Sequence, residues 1–129
     1  MGIELLLGKT LAYINVDREK NRIIFVDKKG STYRMFHDQE CSEEVYIDDI
    51  VGDIDDLIGE TITLAEEVTN SKDLMGKNLE DDVSSFTWTF YKLATRKGYV
   101  NIRWFGGSNG CYSEEVEVRP MFPVRPFKS

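Results

Sequence analysis

His37, Asp38, Glu40 and Cys41 place an imidazole, two carboxylates and a thiol within five consecutive residues. On an extended segment His37 and Cys41 share one face, as a pair of zinc ligands requires. A structural zinc site draws a second Cys or His pair from elsewhere, and only Cys111 remains in this chain. The four residues are therefore weak metal candidates, and the ordinary alternative is a histidine that ends a strand and hydrogen-bonds a neighbouring carboxylate. Imidazole and thiol could also form a nucleophile pair. No oxyanion device or third orienting group can be identified beside them, so the expectation is a protein without catalytic residues and without a cofactor.

A second set of groups suits binding. Trp88, Tyr91, Trp104, Phe105 and Tyr112 crowd one stretch together with Arg103, Ser108 and Asn109. Core packing accounts for most of these rings, and any on an outer face could stack a base or an adenine-type ring beside Arg103 and Asn109. The run Gly106, Gly107, Ser108, Asn109 and Gly110 has enough glycine to bring backbone N–H groups against a phosphate. A hairpin turn asks for the same residues, and a turn is the first expectation there. The candidate ligand-binding set is Arg103, Trp104, Ser108, Asn109, Tyr112, Trp88, Tyr91 and His37.

Composition limits the classes of partner. A chain of 129 residues, 41% hydrophobic, has enough length for one domain with its own core. Its net charge of -7 opposes a duplex nucleic-acid binder, which needs a basic stripe to neutralise phosphates. The start MGIELLLG has neither the basic region nor the apolar length of a secretory signal, so a cytoplasmic location with both thiols reduced is expected. No run approaches the roughly 20 apolar residues needed to cross a bilayer. Between Glu40 and Glu60 the acidic residues lack the spacing and central glycine of an EF-hand. They read as a solvated face, or as a surface for a basic partner.

Strands must position these groups. Period-two alternation marks strands over 9–17, 22–27 and 31–36, joined by polar turns into a meander. Phe86, Trp88 and Phe90 alternate with Thr87, Thr89 and Tyr91, and after the turn at 96–98 the strand 99–105 returns. A further hairpin through 106–110 leads to a strand with Tyr112, Glu114, Val116 and Val118 on one face. Asp53 and Gly59 bracket a helix of at most two turns, 60–68 reads as a strand, and 69–85 as a long loop. The fold class expected is mainly β, an α+β chain with one short helix, its two antiparallel meanders forming a strongly bent sheet, a sandwich or an open barrel. Residues 1–118 form one β-rich domain. The prolines of 119–129 make an arm that docks on its own domain or on a neighbouring subunit.

The segments HDQEC, EEVYIDDIVGDIDDLIG, LAEE and SFTWTFYKLATRKGYVNIRWFGGSNGCYSEEV resemble a family of small uncharacterised proteins of phages and bacterial mobile elements, known as a domain of unknown function. The resemblance spans 10–118. In that family two adjacent cysteines stand where this chain has Cys41 and Ser42, and a tyrosine is usual at Cys111, departures that speak against metal and disulfide. The resemblance implies expression in the host cytoplasm. It frames two expectations: a non-catalytic counter-defence protein, homo-oligomeric, that sequesters a nucleotide-like small molecule; or an acidic inhibitor that covers a basic site on a host defence protein such as a nuclease or signalling enzyme.

Overall fold

A computed structural model describes residues 2–39, 43–73, 85–108 and 113–121. Among these the chain forms eight strands: β1 (Leu11–Val16), β2 (Arg22–Asp27), β3 (Thr32–Phe36), β4 (Glu44–Val51), β5 (Leu64–Asp73), β6 (Ser85–Thr95), β7 (Gly98–Ser108) and β8 (Glu117–Met121). They make two four-stranded antiparallel sheets, ordered β1-β2-β3-β8 and β4-β7-β6-β5. The mainly β expectation holds.

Alternation decides which side chains meet between the sheets, because successive residues of a strand point to opposite faces. Ile23, Phe25, Tyr33, Met35 and Val118 of the first sheet merge with Val45, Ile47, Tyr91, Leu93, Val100, Ile102 and Trp104 of the second into one core. Ile3, Leu6, Leu57 and Ile62 close its edge. An extra residue in β4 between Ile47 and Asp49 shifts the register, so that Ile50 again faces inward while Asp48 and Asp49 both stay on the outside. The first meander is as expected, and the β6–β7 hairpin turns at Arg96 and Lys97.

Four expectations need correction. Residues 69–73 and 85, placed in a loop over 69–85, are strand, because β5 continues to Asp73 and β6 starts at Ser85, and 74–84 lie outside the described residues. Ladder hydrogen bonds to the long β6 hold these polar residues in a strand whatever their side chains prefer. Of the turn expected at 106–110, Gly106, Gly107 and Ser108 belong to β7, and 109–110 lie outside the described residues. No hairpin joins β7 to β8: β4 and β6 already occupy both edges of β7, and β8 pairs with β3 in the other sheet. Arg119, Pro120 and Met121, assigned to the arm, are the end of β8, an edge strand where a missing proline N–H is tolerated. Residues 122–129 lie outside the described set.

The short helix is a single 3-10 turn, Ile54–Leu57, with the Asp53 carboxylate accepting from the Asp55 N–H at 2.9 Å. A second 3-10 turn, Ile3–Leu6, precedes β1 and buries Ile3 and Leu6. Gly52, between β4 and the Asp53 cap, has φ +107, and a Cβ there would lie 2.6 Å from the Tyr99 carbonyl oxygen. Gly52→Ala is therefore expected to lower stability by about 1–3 kcal/mol, read as a shift in the urea midpoint at unchanged slope.

Candidate functional site

His37 is spent on structure. Its side chain is 3% exposed, and Nε2 lies 2.9 Å from the Glu43 carboxylate, itself sealed from solvent. Nδ1 donates to the Glu115 carbonyl at 2.7 Å. Because a carbonyl can only accept, Nδ1 carries a hydrogen, and one further proton must lie between Nε2 and Glu43. The imidazole so ties the segment after β3 to the entry of β4 and the approach to β8. The carboxylate partner is Glu43, not the adjacent Asp38. No ring nitrogen of His37 is left for a metal, and among the described residues no three His, Cys, Asp or Glu side chains gather as a metal site. Glu40 and Cys41 lie outside the described residues, as do Asn109 and Tyr112.

The interior removes three more candidates from an open site. Trp104 and Tyr91 are 0% exposed. Trp104 donates its indole N–H to the Met35 sulfur at 3.2 Å, joining the two sheets. Burial pushes the Tyr91 hydroxyl far above its ordinary range, and the Glu67 and Glu115 carboxylates add to this. It stays protonated at neutral pH and donates to the Val116 carbonyl. Ser108 faces inward too, and donates to the buried Glu114 carboxylate at 2.5 Å, which also accepts from Thr87 at 2.6 Å. Gly106 makes room for this group: a Cβ there would meet the Glu114 Cβ at 2.9 Å.

That buried carboxylate has a consequence on the other side of the sheet. On β6 the inner positions Thr87, Thr89, Tyr91 and Leu93 supply hydroxyls and core packing, so the more aromatic side, Phe86, Trp88 and Phe90, is turned outward. The register aligns Tyr46, Phe105, Trp88 and Asn70 in one row across the outer face, and Asp49, Arg103, Phe90 and Val68 in the next. Phe105 is the hub: its ring lies 5.0 Å from Trp88, 5.5 Å from Phe86 and 5.6 Å from Tyr46. Tilted and edge-on contacts of this kind are the favoured arrangements for aromatic neighbours.

Arg103 stands over this platform. Its guanidinium carbon is 5.2 Å from the Trp88 ring, and Asp48 accepts from Nε at 2.8 Å and from Nη2. The bulge that doubles the acidic residues opposite Arg103 thus fixes the fork across the indole, while Nη1 makes no hydrogen bond among the described residues. Of the residues singled out from the sequence, the structure brings Trp88 and Arg103 together and sets Trp104, Tyr91, Ser108 and His37 apart from them. Tyr46, Phe86, Phe90 and Asp48 were missed as neighbours. Alternation from Trp88 pointed to Phe86 and Phe90; nothing local pointed to Tyr46 or Asp48, which reach the site through a long-range pairing.

No helix among the described residues is long and apolar enough to cross a membrane. Residues 4–118 match the model of a family described as a domain of unknown function, DUF7448. No curated protein and no solved structure matches the chain.

Proposed function

We propose a binding role for this chain, which belongs to the DUF7448 family: the outer face of the second sheet holds a planar, nucleotide-like ligand without transforming it. The observation that carries the reading is the inverted β6, whose Phe86, Trp88 and Phe90 side faces out while its threonines face in. These rings and Phe105 are half-buried, with the exposed Tyr46 and Val68 beside them, and a contiguous apolar patch on an outer face marks an interaction surface. The Trp88 and Phe105 rings offer π-faces to a base, and the free edge of Arg103 offers donors to its ring acceptors or phosphate.

One stacked base contributes about 1–3 kcal/mol, so a single stack by itself supports only weak binding, weaker than about 1 mM. Two such faces closing on one ligand would stack it from both sides, which is why the reading includes a homo-oligomer. In a phage-encoded protein the outcome would be counter-defence, the sequestration of a host signalling nucleotide in the host cytoplasm; that setting rests on the resemblance of the sequence motifs. Isothermal titration with nucleoside monophosphates and cyclic dinucleotides tests the binding. Trp88→Ala is expected to weaken it about 5- to 100-fold, in line with the loss of one stack, and Arg103→Ala to weaken phosphate-bearing ligands more than the bare nucleoside. Equal affinities in wild type and Trp88→Ala would remove the reading.

A second reading has its own observation. β4 is an edge strand among the described residues and exposes Glu44, Tyr46, Asp48, Asp49 and Val51. Such an edge suits an inhibitor that covers a basic site on a host nuclease or signalling enzyme. It requires association with a protein that weakens steeply with salt, and it is insensitive to nucleotides.

A further inference from the structure

We infer that the outer face of the first sheet, opposite the aromatic platform, carries an oxyanion site built on Arg22 and Arg34, with a phosphate group as its ligand. The chain holds 23 Asp and Glu against 16 Lys and Arg, so a strand arginine should readily find a carboxylate. Arg96, Arg103 and Arg119 do, pairing with Glu60, Asp48 and Glu117. Arg22 and Arg34 make no ion pair among the described residues, although they share one cleft of about 550 Å³ with Asn21, Phe36, Gln39 and the Asp38 carboxylate.

Arg34 is the more telling of the two. Its guanidinium carbon lies 3.8 Å from the centre of the Phe36 ring, which fixes the fork, and its Nε is shut off from water with no hydrogen-bond partner among the described residues. In the ladder it stands directly opposite Arg119, and like charges in directly opposed positions destabilise a sheet. Arg119 is neutralised by Glu117, which leaves Arg34 as a half-buried cation with no ion pair among the described residues. Arg22, paired with Phe36 in the same ladder, supplies a second fork at the mouth of the cleft. Two arginines lining one cleft suit the oxygens of a phosphate, which guanidinium groups bind through parallel N–H bonds.

Thermal unfolding in inorganic phosphate, at ionic strength held constant with sodium chloride, tests the site. Arg34→Gln and Arg22→Gln/Arg34→Gln are compared with Arg18→Gln, a charge-matched change at an exposed turn residue. Phosphate also stabilises proteins generally by exclusion from their surface, and that part is common to all the variants. Wild type and Arg18→Gln are expected to show an additional saturable rise in Tm, with an apparent Kd at least tenfold lower than in the Arg34 variants. The Arg34 variants should be no less stable than wild type without phosphate, because a like-charge opposition is relieved. In a Trp88→Ala background, which removes the stack of the aromatic face, a nucleoside monophosphate that binds more tightly than inorganic phosphate identifies an ester as the ligand; equal affinity identifies the free ion. Identical phosphate responses in wild type and both Arg34 variants, or no saturation up to about 10 mM, overturn the assignment. This test is separable from that of the aromatic face, which is read through Trp88.

Discussion

Trp104→Ala should lower the unfolding free energy by about 3–5 kcal/mol, while Trp88→Ala, on the neighbouring strand but the opposite face of the same sheet, should cost no more than about 1 kcal/mol. The two indoles are the chain's entire tryptophan content, and they differ in what surrounds them. Trp104 is 0% exposed, lies opposite Ile47 and Thr89 in the ladder, and bonds the Met35 sulfur of the facing sheet. Its truncation opens a cavity against both sheets and leaves close-packed neighbours without contacts. Trp88 is only half-buried, held against Phe105 and beneath the Arg103 guanidinium, and solvent already reaches part of it. Urea titrations followed by circular dichroism check the contrast; equal costs would mean that Trp88 serves the core and would undo its assignment to a binding face.

His37→Ala is expected to cost about 3 kcal/mol, more than the lost imidazole contacts alone suggest, because it removes a charge-assisted partner from a carboxylate sealed in the interior. Glu43→Leu, which removes the charge and keeps bulk, should cost less than His37→Ala. A double-mutant cycle between the two positions should therefore show coupling of about 1 kcal/mol or more, and additive losses would show that the pair carries no such interaction. The same cycle separates a structural clasp from a ligand-binding histidine. A clasp variant retains its nucleotide affinity when assayed well below its unfolding midpoint.

Much of the fold could be read from alternation alone. In β2, Ile23 and Phe25 are buried on one face and Arg22 and Ile24 lie on the other, as a period of two requires. The limits of reading came where a choice depends on distant residues. Nothing in Glu117–Met121 says that its partner is β3 and not β7, because that choice depends on which sheet edge remains free. For the site the difficulty was one of face. Trp104 and Phe105 are adjacent and point to opposite sides, and hydrophobicity alone gives no reason to bury one and expose the other. The deciding group is Glu114, far along the chain, whose buried carboxylate needs the hydroxyls of Thr87 and Ser108 beneath it and so turns Trp88 outward. Arg103 was recognisable as a candidate, but its clamp, Asp48, exists only because β4 bulges at that point.

The account depends on Trp88 lying on a face that receives a ring, and its fluorescence reports this directly. Trp104 is sealed in the core, so a ligand that stacks on the outer face can quench only Trp88. In wild-type protein, titration with the nucleotide should remove the solvent-exposed component of the emission in a saturable way, leaving the blue-shifted emission of Trp104. In Trp88→Phe the same titration should leave the emission unchanged. Saturable quenching that persists in Trp88→Phe, or calorimetric binding with no change in Trp88 emission, would place the ligand elsewhere and contradict the assignment of the aromatic face.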